Sequence, residues 1–197
     1  GNSENLQPDE IERIENHKLD DINFLYWRNS NLNFQSPESL IKSLEKKPSS
    51  NNFIKITDSI DENVFKYLVR DKKLKVSNES LELLWECCQI PDFVKKNYGH
   101  HLEVVSKVFG FLNGKERKVA NQYMKKQLKQ LDKTEGNVDS ISNRIANVRT
   151  WSYVANKVNW VENQDYWVER TKNLEDKLSD RLHEELTKSF IDKRASV

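Results

Sequence analysis

Apolar residues recur at helical spacing in at least six segments of this chain, and this pattern restricts the fold more than any other feature. Capping or breaking residues bound these segments, as Ser36 and Pro37 do before one segment and Gly114 does after another. Only five glycines and four prolines occur in 197 residues, which favours long helices over a hairpin-rich β fold. The sequence therefore predicts an all-α fold.

The predicted helices follow one another along the whole chain. Their approximate ranges are 8–17, 36–45, 61–70, 77–90, 100–112, 116–133, 139–156 and 165–194. We expect any sheet to be confined to 22–34 and 53–57, where β-branched and aromatic residues are concentrated. In the first of these regions, 22–28 is predicted to pair with 32–34 across a polar turn at 29–31. In the second, 53–56 is predicted to form a short strand.

The chain is predicted to form a single helical domain that spans 1–197. Within it, 1–35 is a less regular entry segment and 36–197 is the helical core, because the polar joints at 46–52 and 134–138 are too short to be domain linkers. The sequence opens with Gly1 rather than methionine, and it ends directly after a charged helix. We therefore expect both ends to have been cut from a longer protein.

The charge of the chain is nearly balanced, with 32 basic and 31 acidic residues and a net charge of +1. Any binding to nucleic acid must therefore come from a local patch of charge. The sequence contains no run of about 18 apolar residues and no signal peptide, so we expect no membrane segment. Cys87 and Cys88 are adjacent and are predicted to be reduced, buried thiols, which fits a cytoplasmic protein.

Residue patterns that support catalysis are not evident in this sequence. It has no glycine-rich phosphate loop and no dinucleotide-binding fingerprint. His100 and His101 are neighbours, which cannot converge on one ion from a helix, and no ligand set accompanies His17 or His183. Burial would make the two thiols poor nucleophiles. We therefore predict that the chain alone is not an enzyme, with no catalytic residue, no metal site and no cofactor.

The helix predicted at 116–133 is the most informative physical feature. At about 100° per residue, one of its faces carries lysines and the other carries apolar residues. The lysine face comprises Lys118, Lys125, Lys129 and Lys133, and the apolar face comprises Ala120, Met124, Leu128 and Leu131. Such a face could follow a phosphate backbone, or it could be an ordinary solvated surface.

Aromatic residues are concentrated between the last two predicted helices. They are Trp151, Tyr153, Trp160, Tyr166 and Trp167, and valines are interleaved with them. These rings could stack nucleic-acid bases, but large aromatics with apolar neighbours are more typical of a helix–helix core.

The last predicted helix carries an apolar residue at every fourth position. These residues are Leu174, Leu178, Leu182, Leu186 and Phe190. A spacing of four moves the stripe about 40° around the helix at each step, so we expect it to meet more than one neighbour. The basic end of this helix, with Lys193 and Arg194, complements the helix dipole and could also contact phosphate.

Four segments carry a resemblance to a known family. They are IENHKLDDINFLYWRNSNLNF (14–34), LLWECCQIPDF (83–93), IANVRTWSYVANKVNW (145–160) and WVERTKNLEDKLSDRLHEELTKSFIDKR (167–194). Together they resemble the C-terminal region of bacterial superfamily 2 helicases related to the mitochondrial degradosome RNA helicase. In the mitochondrial proteins, a Cys-containing segment before a Pro-Phe helix and a later Trp-Leu-Ser-Tyr helix occur in the same order.

The resemblance implies a fragment of a larger motor protein. Such helicases have two RecA-like lobes that bind ATP and Mg²⁺, followed by an all-helical C-terminal region that packs on the lobes and flanks the RNA path. This chain contains no helicase motif, so ATP hydrolysis would belong to the parent protein. Residues 18–34 have no clear counterpart in the mitochondrial proteins.

These observations predict an accessory domain of an ATP-dependent RNA helicase, which braces the motor lobes and forms one wall of the channel for single-stranded RNA. The predicted RNA contacts are Lys118, Lys125, Lys129, Arg149, Lys193 and Arg194. The alternative is a helical scaffold for docking proteins, with no contact to nucleic acid. Lysines that face solvent in a groove would favour RNA binding, whereas lysines that are scattered or paired with acids would favour the scaffold.

Overall fold

The computed structural model describes residues 25–196, and in this range the chain forms seven α-helices and a two-stranded sheet. The helices are α1 (Pro37–Glu45), α2 (Ile60–Lys66), α3 (Leu81–Cys88), α4 (Tyr98–Leu112), α5 (Asn121–Leu131), α6 (Val138–Asn156) and α7 (Gln164–Ala195). A π-helix (Tyr67–Asp71) continues α2, and a 3-10 turn (Asn78–Ser80) precedes α3. The predicted mostly helical fold is confirmed, while the helix predicted at 8–17 lies outside the described residues.

Side-chain caps fix the start of three helices. Ser36 Oγ accepts a hydrogen bond from the Ser39 amide at 3.0 Å, and Pro37 is the first residue of α1. The side chains of Asn97 and Asn137 accept equivalent bonds at the starts of α4 and α6. Each cap satisfies an amide that has no partner inside its own helix. The helix predicted at 77–90, by contrast, begins only at Leu81, because a 3-10 turn follows Ser77.

The sheet joins segments that lie far apart in the sequence. Strand β1 (Leu25–Trp27) pairs in parallel with β2 (Phe53–Lys55), with Tyr26 opposite Ile54. The strand predicted at 53–56 is thus confirmed, but the predicted pairing of 22–28 with 32–34 is wrong; residues 22–24 lie outside the described range. Asn29 does not form the expected hairpin turn, because its side chain donates to the Ser43 carbonyl at 2.9 Å and ties the segment to α1.

One hydrophobic cluster includes buried residues from all seven helices. Helices α6 and α7 form its most extensive pair, in which Val148 and Trp151 of α6 and Leu174 and Leu178 of α7 are buried. Burial of a leucine side chain contributes about 1.5–3 kcal/mol, so this pair is a main source of stability. None of the helices within residues 25–196 is long and apolar enough to cross a lipid bilayer.

The apolar stripe of α7 leaves this core halfway along the helix. Leu174 and Leu178 are buried and Leu182 is half-buried, but Leu186 is 48% exposed and Phe190 is 60% exposed. The second half of the stripe is therefore exposed in the described part of the chain, and the expectation that the stripe meets more than one neighbour stays a prediction there. The drift of about 40° per step carries the stripe away from α6.

Helix α5 begins five residues later than the sequence predicted. Arg117 has a positive φ of 55°, a conformation that interrupts a right-handed helix. The Val119 amide donates to the Trp160 carbonyl at 2.8 Å, and Val119 forms a parallel bridge with Val161. This contact between distant segments keeps 116–120 out of the helix that its composition favours.

Candidate nucleic-acid interface

Helix α5 separates its apolar and basic residues as the sequence predicted for its central turns. Met124 and Leu128 are buried in the core, whereas Lys125, Lys126 and Lys129 are exposed. We call these three exposed residues the α5 lysine face. None of the ion pairs within residues 25–196 includes one of them. Their positive charge is therefore available to a ligand.

The acid that follows α5 is paired with another helix. Asp132 accepts a hydrogen bond from Lys177 Nζ at 2.7 Å and another from Arg170 at 3.0 Å, both from α7. The bond from Lys177, followed by that from Arg170, lowers the pKa of the Asp132 carboxyl. Asp132 is thus neutralised by α7 and does not cancel the charge of the α5 lysine face.

Three residues that were predicted on the two faces of the 116–133 helix lie elsewhere. Lys118 precedes α5, and its half-buried side chain donates to the Asn159 carbonyl at 2.9 Å. Ala120 is exposed rather than part of the core. Lys133 follows the end of α5 and is exposed. Because the helix is shorter than predicted, Lys118 does not join Lys125 and Lys129 on one helical face.

Arg149 is held by an ion pair and is not a free cation. Its Nε atom donates to Glu175 Oε1 at 2.6 Å, which links α6 to α7. Lys193 and Arg194 are exposed at the C-terminal end of α7, where the Arg194 guanidinium lies 5.6 Å from the centre of the Phe190 ring. Of the six predicted contacts, the structure therefore places Lys125 and Lys129 together on α5 and Lys193 and Arg194 together at the end of α7, whereas Lys118 and Arg149 are engaged by other groups.

The large aromatic residues near α6 and α7 mostly form core. Trp151, Trp160 and Trp167 are buried, which confirms the interpretation as core for these three rings. The indole N–H of Trp167 donates to Asn121 Oδ1 at 3.0 Å, so this buried polar group is satisfied. Tyr153 is half-buried, and Tyr166 is exposed beside Trp167.

A cleft of about 1070 Å³ lies between the π-helix, α4 and α5. Tyr67 and Lys72 approach it from the π-helix side, Lys107 from α4, and Tyr123 and Gln127 from α5. We call it the α4–α5 cleft. This site could not be predicted from the sequence, because its walls come from three segments with no common motif. A π-helix often marks a functional site. The sequence of this one resembles that of an ordinary helix, so it could not serve as a local signal for the cleft.

The cysteines and buried histidine offer no clear reactive group. Burial raises the pKa of the Cys87 thiol to about 12 and also raises the pKa of Cys88, so little thiolate exists near neutral pH. His101 is buried, its Nε2 atom has no hydrogen-bond partner, and burial lowers its pKa. Within residues 25–196, no group of three or more histidine, cysteine or acidic side chains is arranged to hold a metal ion.

Comparisons with known proteins give this chain no relative. No protein-family model matches it, and no curated protein or solved structure matches it at a significant level. The relationship to RNA helicases therefore remains a prediction that rests on the resembling segments. Nucleic-acid binding is indicated independently of this resemblance by the exposed lysines of α5.

Proposed function

We propose that this chain is an accessory domain that binds single-stranded RNA through the α5 lysine face. One observation carries the proposal: Lys125, Lys126 and Lys129 are exposed on one short helix, while the acid that follows them is bound by α7. This arrangement leaves a local excess of positive charge in a chain whose net charge is only +1.

Phosphate neutralisation supplies the physical basis for this binding. Each lysine that neutralises a phosphate releases condensed counterions, and this release drives association at low salt. Lysine ammonium groups contact phosphates and not base edges, so the face itself gives little sequence preference. Only a few contacts are available, so the binding is weak, and it weakens further as the salt concentration rises because it depends on counterion release.

The wider proposal places this domain in an ATP-dependent superfamily 2 RNA helicase of the cytoplasm. It is supported by the resemblance of 14–34, 83–93, 145–160 and 167–194 to the C-terminal regions of such proteins. ATP and Mg²⁺ would bind the RecA-like lobes of the parent protein, and this chain would need no cofactor. The exposed apolar end of α7, with Leu186 and Phe190, offers a surface on which a motor lobe could pack.

The alternative is a helical docking scaffold with no contact to nucleic acid. Leu186, Phe190 and Ile191 are exposed on α7 and favour the scaffold. Large apolar side chains on one solvent-facing segment often mark a protein interface. RNA binding separates the two candidates, since the scaffold needs no positive charge on α5.

A charge-reversal experiment with a matched control tests the RNA-binding proposal. The test variant is Lys125→Glu/Lys129→Glu, and the control is Lys46→Glu/Lys47→Glu, which makes the same change at two exposed residues after α1. At low salt, we expect the test variant to bind a labelled single-stranded RNA roughly tenfold more weakly than wild type. Equal losses in both variants would show that only the net charge matters.

The helicase part of the proposal has its own test. The residues that precede Gly1 in the full-length protein should contain the phosphate-binding loop of a RecA-like lobe. An upstream sequence without any nucleotide-binding motif would contradict the helicase assignment and would leave RNA binding by this domain as a separate question.

A further inference from the structure

The α4–α5 cleft opens beside Lys126, which is the member of the α5 lysine face nearest to it around the helix. Tyr123 and Gln127 form one wall of the cleft and belong to the same helix as the lysines. Lys126 follows Tyr123 by three residues, so it lies about 60° away around the helix axis. A strand whose phosphates lie on Lys126 would therefore have its bases next to the cleft.

The lining of the cleft combines aromatic rings, cations and neutral polar groups. The half-buried rings of Tyr67 and Tyr123 lie on opposite segments, the π-helix and α5. Tyr123 is held in place by an edge-to-face contact with Trp151, at 5.6 Å between ring centres, and by a tilted contact with Phe111 at 5.1 Å. A ring fixed in this way loses little conformational freedom when a ligand packs against it.

Charge and hydrogen-bonding groups complete the lining. Lys72 and Lys107 contribute two cations and Glu103 one carboxylate, so these charged side chains leave the cleft with a small positive excess. Ser106 and Gln127 add a hydroxyl and an amide, which can bond to the polar edges of a ring. Aromatic rings beside cations are the combination that binds single-stranded nucleic acid, because every base has a face that can stack.

We propose that the α4–α5 cleft receives a base of the single strand where its phosphates pass Lys126, at the edge of the α5 lysine face. This inference rests on the proposed function, and it adds a base-contacting subsite to a surface that otherwise contacts only phosphate. The chain then prefers a strand with bases over an equally charged strand without them. The preference is for the presence of a base and only weakly for its identity, because stacking is tolerant of sequence.

Two labelled probes of equal length and charge test the inference: an oligouridylate and an abasic ribose-phosphate oligomer. Stacking of one base corresponds to roughly tenfold in affinity, so wild type should bind the oligouridylate about tenfold more tightly. Tyr67→Leu and Tyr123→Leu each remove one stacking ring from a different wall of the cleft and should lower the affinity for oligouridylate to nearly that for the abasic oligomer. Two variants are used so that the test does not depend on one of them folding.

Tyr166→Leu is the control for loss of a ring, because it removes a tyrosine at an exposed position on α7 that does not line the cleft. It should keep the preference for bases. If wild type binds both probes with equal affinity, and Lys125→Glu/Lys129→Glu weakens the binding of both probes, the cleft inference is overturned. The proposed function then stands. Absence of binding to either probe at low salt would overturn the proposed function itself. If uridine monophosphate binds as tightly as the oligomer, and Tyr67→Leu weakens this binding, the cleft is a mononucleotide pocket instead.

Discussion

Arg149 Nε lies 2.6 Å from Glu175 Oε1 and joins the middle of α6 to α7. The arginine side chain is 54% exposed and the glutamate side chain 27% exposed, so solvent screens this pair. The contact gives Arg149 a partner within the protein and distinguishes it from the unpaired lysines of α5. Comparing substitutions of Arg149 with substitutions of the α5 lysines therefore separates a cation that stabilises the fold from cations that bind a ligand.

Replacement of Arg149 tests this distinction. We expect Arg149→Gln to lower the free energy of unfolding by about 0.2–1 kcal/mol, the range for exposed ion pairs, and to change RNA affinity by less than about twofold. Urea unfolding gives the first quantity, and fluorescence anisotropy with a labelled RNA gives the second. A loss of affinity as large as that of Lys125→Glu would mean that Arg149 leaves Glu175 to bind phosphate.

The path of the apolar stripe along α7 predicts that the same substitution lowers the free energy of unfolding by different amounts at two positions. Leu178 is fully buried, whereas Leu186 is 48% exposed. Leu178→Ala should lower the free energy of unfolding by about 2–5 kcal/mol, because it leaves a cavity in the core. Leu186→Ala should change it by no more than about 0.5 kcal/mol. If urea unfolding shows similar losses of free energy of unfolding at both positions, the second half of the stripe is also buried.

The pairing of Asp132 with α7 predicts a contribution to stability that depends on pH. Because the folded-state pKa of Asp132 is lowered from 3.8, the contribution is present above this value and is lost as the pH falls through the folded-state pKa. At pH 7, we expect Asp132→Asn to be less stable than wild type by about 1 kcal/mol. The difference should disappear as the pH falls below the folded-state pKa of Asp132. A difference that persists in acid would mean that the carboxylate charge is not its cause.

Local signals in the sequence were sufficient to predict most helix boundaries. Ser36 followed by Pro37 marks the start of α1, and α6 and α7 begin within two residues of their predicted starts. These signals act through the first turn of the helix itself, so they do not depend on the rest of the fold.

Errors arose where distant segments determine the structure. The start of α5 depends on the contact of Val119 with Val161, and β1 pairs with a strand that lies beyond α1. Helical periodicity does not indicate such partners. The same limit applied to the candidate site: helical periodicity predicted the exposed positions of Lys125 and Lys129, but not the engagement of Lys118 and Arg149 by groups far away in the chain.

The dependence of RNA affinity on salt tests the central claim most directly. Four contacts, from Lys125, Lys126, Lys129 and exposed Lys133, should give a slope near −3 for log affinity against log salt, at about 0.7 per contact. Lys125→Glu/Lys129→Glu should reduce this slope to roughly half, and Lys46→Glu/Lys47→Glu should leave it unchanged. The same slope for wild type and Lys125→Glu/Lys129→Glu would contradict the claim that the α5 lysine face binds RNA.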